Sequence, residues 1–179
     1  MPKITGGGLR SRKLGSPKSG IRPTPGRVKE SLFSILQPRI SGSRFLDLYA
    51  GTGAIAFEAA SRGAGSVVAV EGNREIAETI REAAGEFGVQ EIVSVMAAPI
   101  DRALYRLQGQ FDVVYADPPY EHPVPLQMFR LLLERQLLAT DALVIYEHSA
   151  RLILPQIPGY RGVREEVYGD VALAFFTPG

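Results

Sequence analysis

Between Arg44 and Tyr146, short apolar runs alternate with stretches of helical periodicity. Phe45–Tyr49, Ser66–Val70, Glu91–Met96, Phe111–Ala116 and Ala142–Tyr146 read as strands, nearly continuous in apolar residues. Between them, Ala54–Ala60 (ended by Gly63), Arg74–Phe87, Ile100–Leu107 and Leu126–Leu138 read as helices. Strands that are apolar on both faces and alternate with helices build a parallel sheet covered on both sides, so the body is predicted to be a doubly wound α/β domain. The tail departs from this rhythm. Tyr160–Tyr168 and Val171–Thr177 are strand-like runs joined at Gly169-Asp170 with no helix between them, so the sheet should close with an antiparallel hairpin and seven strands in all. Ahead of the body, Thr24-Pro25 reads as an N-cap followed by proline at the first helical position. Val28, Leu32, Phe33, Ile35 and Leu36 then make one stripe that Pro38 should stop. Residues 1–22, with Gly6-Gly7-Gly8 and Gly15-Ser16-Pro17, read as an arm or hairpin in front of a domain spanning 23–179.

A chain of 179 residues with 45 % hydrophobic and 22 % charged residues is sized for one globular domain, which disfavours disorder, collagen and coiled coil. No cysteine and only two histidines, His122 and His148, exclude disulfides, thiolate metal sites and a protein-only zinc site; no metal is expected. The lack of a long apolar run and of a secretory leader predicts a cytoplasmic protein without membrane association. The net charge of +1 hides a segregation. Residues 1–29 carry eight basic side chains and no acid, leaving 12 basic against 19 acidic over the rest. Such a basic end suits a polyanion, because Lys and Arg gain affinity by releasing counterions condensed on phosphates. Lys3, Arg10, Arg12, Lys13 and Lys18 are the candidate contacts, and a solvated tail is the bland alternative.

The first strand runs into Asp47-Leu48-Tyr49-Ala50-Gly51-Thr52-Gly53, a glycine turn at the carboxyl end of a sheet strand, where open α/β folds bind ligands. Glu71-Gly72 closes the second strand, and a carboxylate there can accept both hydroxyls of a ribose, which points to a nucleoside-containing cofactor. Gly51-x-Gly53-x-x-Ala56 also satisfies a dinucleotide fingerprint, so a nicotinamide-dependent oxidoreductase remains an alternative. Against it, Asp47 would place a negative charge near the phosphates. That acid suits the ammonium and sulfonium of S-adenosylmethionine.

Asp117-Pro118-Pro119-Tyr120 opens on the same edge after the fourth strand. Methylation of an exocyclic amine needs help, because the nitrogen lone pair is delocalised into the ring. Asp117 and the Pro118 carbonyl can accept its two N–H bonds, the prolines hold those acceptors still, and Tyr120 offers a face for stacking the base. The loop alone leaves guanine N2 and adenine N6 open as targets, in RNA or DNA. His122 reads as a solvated loop residue and His148 as a hydrogen-bonded strand end, although either could approach the base.

Taken together, Arg22-Pro23-Thr24 leading into Arg27–Phe33, Leu46–Gly53, Glu58-Ala59, Ser61–Ala64, Asp117–Tyr120, Glu147-His148 and Tyr168–Asp170 resemble the RsmD-like family over nearly the whole chain. That family comprises S-adenosylmethionine-dependent enzymes that methylate the exocyclic N2 of a guanine in small-subunit (16S) ribosomal RNA. The resemblance implies a Rossmann-like class I methyltransferase fold. It assigns Asp47, Gly51 and Gly53 to the methionine end, Glu71 to the ribose, and Asp117, Pro118, Pro119 and Tyr120 to the target base, with Tyr49 and Gly72 also counted among the cofactor-binding residues. Arg22 and Thr24 would close over the cofactor carboxylate. The family usually places an acid after the third strand; this chain has Met96-Ala97-Ala98-Pro99-Ile100, which leaves the Ile100 amide to meet the adenine. The implied partner is ribosomal RNA, free or within an assembling small subunit, and a monomer is expected.

Overall fold

The computed structural model describes residues 3–15, 24–119 and 123–179. Its chain order is α1 (Gly26–Ile40), β1 (Arg44–Leu48), α2 (Ala54–Ser61), β2 (Ser66–Glu71), α3 (Arg74–Glu86), β3 (Val93–Ala97), α4 (Ile100–Arg106), β4 (Phe111–Ala116), α5 (Leu126–Glu134), β5 (Leu138–Ser149), β6 (Tyr160–Tyr168) and β7 (Val171–Pro178). The strands form one seven-stranded sheet in the order β3-β2-β1-β4-β5-β7-β6. The first five run parallel and β7 pairs antiparallel with β5 and β6, as the strand pattern predicts. The order reverses at β1, so the carboxyl ends of β1 and β4 flank a crevice.

Each face of the sheet buries its own cluster. One cluster gathers Phe33, Phe45, Phe57, Val113, Tyr115, Ile145 and Phe175 beneath α1, α2 and α3. The other gathers Leu46, Leu104, Phe111, Val114, Phe129, Leu132 and Tyr146 beneath α4 and α5. No helix among the described residues is long and apolar enough to cross a membrane.

Local differences from the sequence reading have physical causes. Thr24 is not the N-cap: Pro25 holds that position with no side-chain cap bond, and the Thr24 hydroxyl bonds Tyr115 instead. Pro38 lies inside α1, which runs on to Ile40, where burial of Ile40 in the core outweighs the one backbone bond a proline forfeits. α5 ends at Glu134; Leu138 starts β5, because Phe111 pairs with it and draws residues 138–141 into the sheet. β3 starts at Val93, two residues later than Glu91.

The basic arm is docked rather than free. Lys3 and Lys13 make an antiparallel bridge, and Ile4 and Leu14 are buried in the α1–α3 cluster. Its anchor is Glu58, wholly buried on α2. The Glu58 carboxylate accepts from the Thr5 amide (2.9 Å), the Thr5 hydroxyl (2.8 Å), the Gly6 amide (2.8 Å) and Arg62 Nε (2.8 Å), and Lys29 Nζ lies 3.2 Å away. Burial pushes this acid up, but those bonds and Lys29 hold it below the usual carboxylate range. The arm also reaches Ser61, whose carbonyl accepts from Gly8 N and whose hydroxyl accepts from Leu9 N. The proposed arm boundary at residue 22, and Lys18, lie outside the described residues.

Candidate active site at the carboxyl edge of the sheet

Four carboxyl groups gather at the carboxyl ends of four adjacent strands, Asp47 one pleat behind the other three. In register, Asp47 of β1 faces Ala69 of β2 and Tyr115 of β4, and Tyr115 faces Ile145 of β5. Side chains alternate along extended backbone, so Glu71, Asp47, Asp117 and Glu147 all project from the face that α1 to α3 cover. The sequence shows each acid at the end of an apolar run; only the strand order β2-β1-β4-β5 makes them a row.

Two members of this row are held toward protonation by burial. Asp47 is 1 % exposed, and burial pushes its carboxyl up to about 8, Glu71 adding to the rise and the Ala56 amide opposing it. Asp117 is likewise pushed up to about 8, by burial first and then by the charges of Glu147 and Asp47. Asp47 also serves the local fold, since its Oδ2 accepts from Ala56 N at 3.0 Å and ties β1 to the first turn of α2. Glu71 braces the glycine turn, with Oε2 accepting from Gly51 N (2.9 Å) and Oε1 from Asn73 N (2.8 Å).

The glycine turn is conformationally demanding. Tyr49 has φ 63°, Gly51 φ 55° and Gly53 φ 76°. A Cβ on Gly53 would stand 2.8 Å from Phe57 Cε2, so this glycine answers first to helix packing. Gly72 has open space around it, next to Glu71. Tyr49 is half-buried against the α4–α5 cluster with Met96, Ile100 and Val124; burial and Asp101 raise its hydroxyl. Ile100 opens α4 behind the Pro99 cap, on the same side.

Beyond β4, Asp117 is half-buried, Pro118 buried and Pro119 exposed. Asp117 N donates to Leu48 O at 3.4 Å, so the diproline turn and the glycine turn start from adjoining backbone. Tyr120, His122 and Arg22 lie outside the described residues. Three partners of the site escaped the sequence reading. Tyr115 is buried, with its hydroxyl donating to Glu147 Oε2 and bonded by Thr24. Tyr146 is pushed up to about 12 by burial, Tyr49 and Asp117, which sets it beside both turns. Glu147 is 2 % exposed; it stands in the Glu147-His148 segment of the family resemblance and directly after the apolar run 142–146, but neither signal gives it a role in the site. His148 matches its strand-end reading: Nδ1 lies 2.9 Å from Ser149 O, and its ring stacks on Tyr146. Lys3, Arg10, Arg12 and Lys13 are exposed on the docked arm, away from the acid row in charge and in sequence.

Known proteins resemble this chain over nearly its whole length. A family model described as Conserved hypothetical protein 95 matches residues 2–177. A Haemophilus influenzae protein named Ribosomal RNA small subunit methyltransferase D is 37 % identical over 183 residues, covering 97 % of this chain and 92 % of that one. The solved yhhF protein of Escherichia coli superposes with a TM-score of 0.88 at 30 % identity, covering 98 % of this chain and 97 % of that one. The fold is also that of an RNA methyltransferase from Salinibacter ruber solved in complex with S-adenosyl-L-homocysteine, with a TM-score of 0.69 at 19 % identity over 88 % of this chain and 94 % of that one.

Proposed function

This chain belongs to the RsmD-like family, and on that footing we propose that it methylates the exocyclic N2 of a guanine in small-subunit (16S) ribosomal RNA, with S-adenosylmethionine as donor. The residues present fit that donor. Asp47 is a buried acid that burial and the neighbouring Glu71 hold toward protonation, and a sulfonium with an α-ammonium is a ligand that favours its ionised form. A dinucleotide would instead bring its pyrophosphate against the same acid. Glu71, with open space at Gly72, is available to ribose hydroxyls, and the Ile100 amide at the start of α4 to the adenine.

When bound, the cofactor supplies a methyl group already activated on positive sulfur. The chain supplies position and charge. Asp117 and the carbonyl of buried Pro118 accept the two N–H bonds of the amine and turn its lone pair outward. As the methyl transfers, positive charge grows on nitrogen, and the fixed Asp117 carboxylate stabilises it where it develops. Tyr120 would stack the base. Guanine N2 faces the minor groove, so a buried acceptor pair reaches it only on a base that is unpaired or turned out of its stack. The exposed Lys3, Arg10, Arg12 and Lys13 give the phosphates a separate handle.

One observation carries the reading: the glycine turn after β1 and the diproline turn after β4 leave neighbouring parallel strands on one edge, with Asp47 and Asp117 on one face. The test is Asp117→Ala. Methyl incorporation into undermodified 16S RNA should be lost while donor binding persists; loss of donor binding would move Asp117 into the cofactor site and refute its assigned role.

A further inference from the structure

Amine capture as described employs Asp117 and Pro118 and gives Glu147 no part in the chemistry. Yet Glu147 is buried beside Asp117. It is 2 % exposed, and its charge is the largest electrostatic influence raising Asp117. β4 and β5 register Ala116 with Tyr146, so the next pair along the strands is Asp117 and Glu147. Both project from one face. The carboxylate is oriented from behind: the buried Tyr115 hydroxyl donates to Oε2, and the Thr24 hydroxyl bonds Tyr115 in turn. A carboxylate has about four acceptor sites, so the partners Glu147 has within the protein, Tyr115 among them, are compatible with accepting from a base.

The two candidate bases differ at the atom next to the reacting amine. Guanine carries N1–H beside its 2-amino group, a contiguous row of donors. Adenine carries a bare N1 lone pair beside its 6-amino group. The protein presents a contiguous row of acceptors, namely the Pro118 carbonyl, Asp117 and Glu147. A second carboxylate next to the first matches guanine and opposes a lone pair.

Resting on the guanine-N2 reading above, we propose that Glu147 is the specificity-determining residue of this site, accepting the N1–H of the target guanine while Asp117 holds the amine. Tyr115 and Thr24 act as positioning residues for it.

The experiment replaces the target guanine in the RNA by 2-aminopurine, which keeps the 2-amino group but has a lone pair at N1. The kcat/KM ratio for guanine over 2-aminopurine is measured for the wild-type chain and for Glu147→Gln, whose amide can either accept from N1–H or donate to a bare N1. Differences in amine reactivity cancel between the two enzymes. The wild type should favour guanine by about 10- to 100-fold, the range of a discriminating base-edge contact, and Glu147→Gln should bring the ratio near unity with donor affinity unchanged. A wild-type ratio near unity overturns the proposal without recourse to the variant, and so does an undiminished ratio in a folded Glu147→Gln. Methyl transfer to adenine N6 with none to guanine overturns the underlying reading and this one together, whereas transfer to guanine without discrimination overturns this one alone.

Discussion

Because Asp47, the acid assigned to the donor's cationic end, is pushed up to about 8, donor binding should be linked to protons. At pH 7 a carboxyl with that pKa is roughly nine-tenths protonated, and ionising it costs about 1.4 kcal/mol. A cationic ligand seated against Asp47 takes it in ionised form, so binding should release up to about one proton at neutral pH. The dissociation constant should fall by up to about tenfold per pH unit between about pH 5.5 and 7.5. Above that range the ligand's own α-ammonium, ordinarily near about 7.7–8.0, begins to titrate and blunts the gain. Calorimetry in buffers of different ionisation enthalpy counts the protons directly. Asp47→Asn should lower the slope by about one.

The ligand-free fold carries the opposite sign. Its two acids, Asp47 and Asp117, are raised above their unfolded value of 3.8, so their contribution to stability is complete below that value. It is then lost as pH rises toward 8, by up to about 1.4 kcal/mol per pH unit per group. The thermal shift produced by the donor should therefore grow with pH. A dissociation constant flat across that same range of about pH 5.5 to 7.5, with no proton release, would refute the assignment of Asp47 to a cation.

Two further tests concern the arm. Glu58→Ala removes the acceptor of four hydrogen bonds and strands Lys29, which is 2 % exposed, so it should cost about 3–5 kcal/mol, as breaking a buried ion pair does. For a domain of this size that lowers Tm by about 6–20 °C, and a drop within scanning error would contradict the anchoring role. Because Glu58 is held below its ordinary 4.5, its stabilisation is present above that value and lost as pH falls through the folded pKa, giving an acid-side unfolding limb that Glu58→Gln should flatten. Reversing charge at the exposed Arg10 and Lys13 should reduce the slope of log affinity for RNA against log salt by about 0.7–0.9 for each phosphate no longer neutralised. An unchanged slope in filter binding would take the arm out of the RNA interface. Full deletion of residues 1–20 is not the clean test that the arm's composition suggests, since it also strips Glu58 and empties the places of Ile4 and Leu14 in the core.

The linear chain by itself determined the class of fold, because hydrophobic period depends only on which neighbours along the backbone share a face. It also determined the two motifs at strand ends and the charge asymmetry of the N-terminus. Their chemistry could be named in advance, since an acid at the end of an apolar run must serve either a ligand or a buried partner. Tertiary structure decided which. Glu58 and Glu147 are both acids in apolar surroundings, and nothing local separates them. Glu58 meets Thr5, Arg62 and Lys29 and becomes an anchor, while Glu147 falls next to Asp117 and joins the site. Strand order did this, because inserting β4 between β1 and β5 brings residues 47, 117 and 147 to the ends of adjacent strands. Burial then changed what those acids are, since the shift of Asp47 and Asp117 comes first from lost water and next from neighbours distant in sequence, and neither can be read along one dimension.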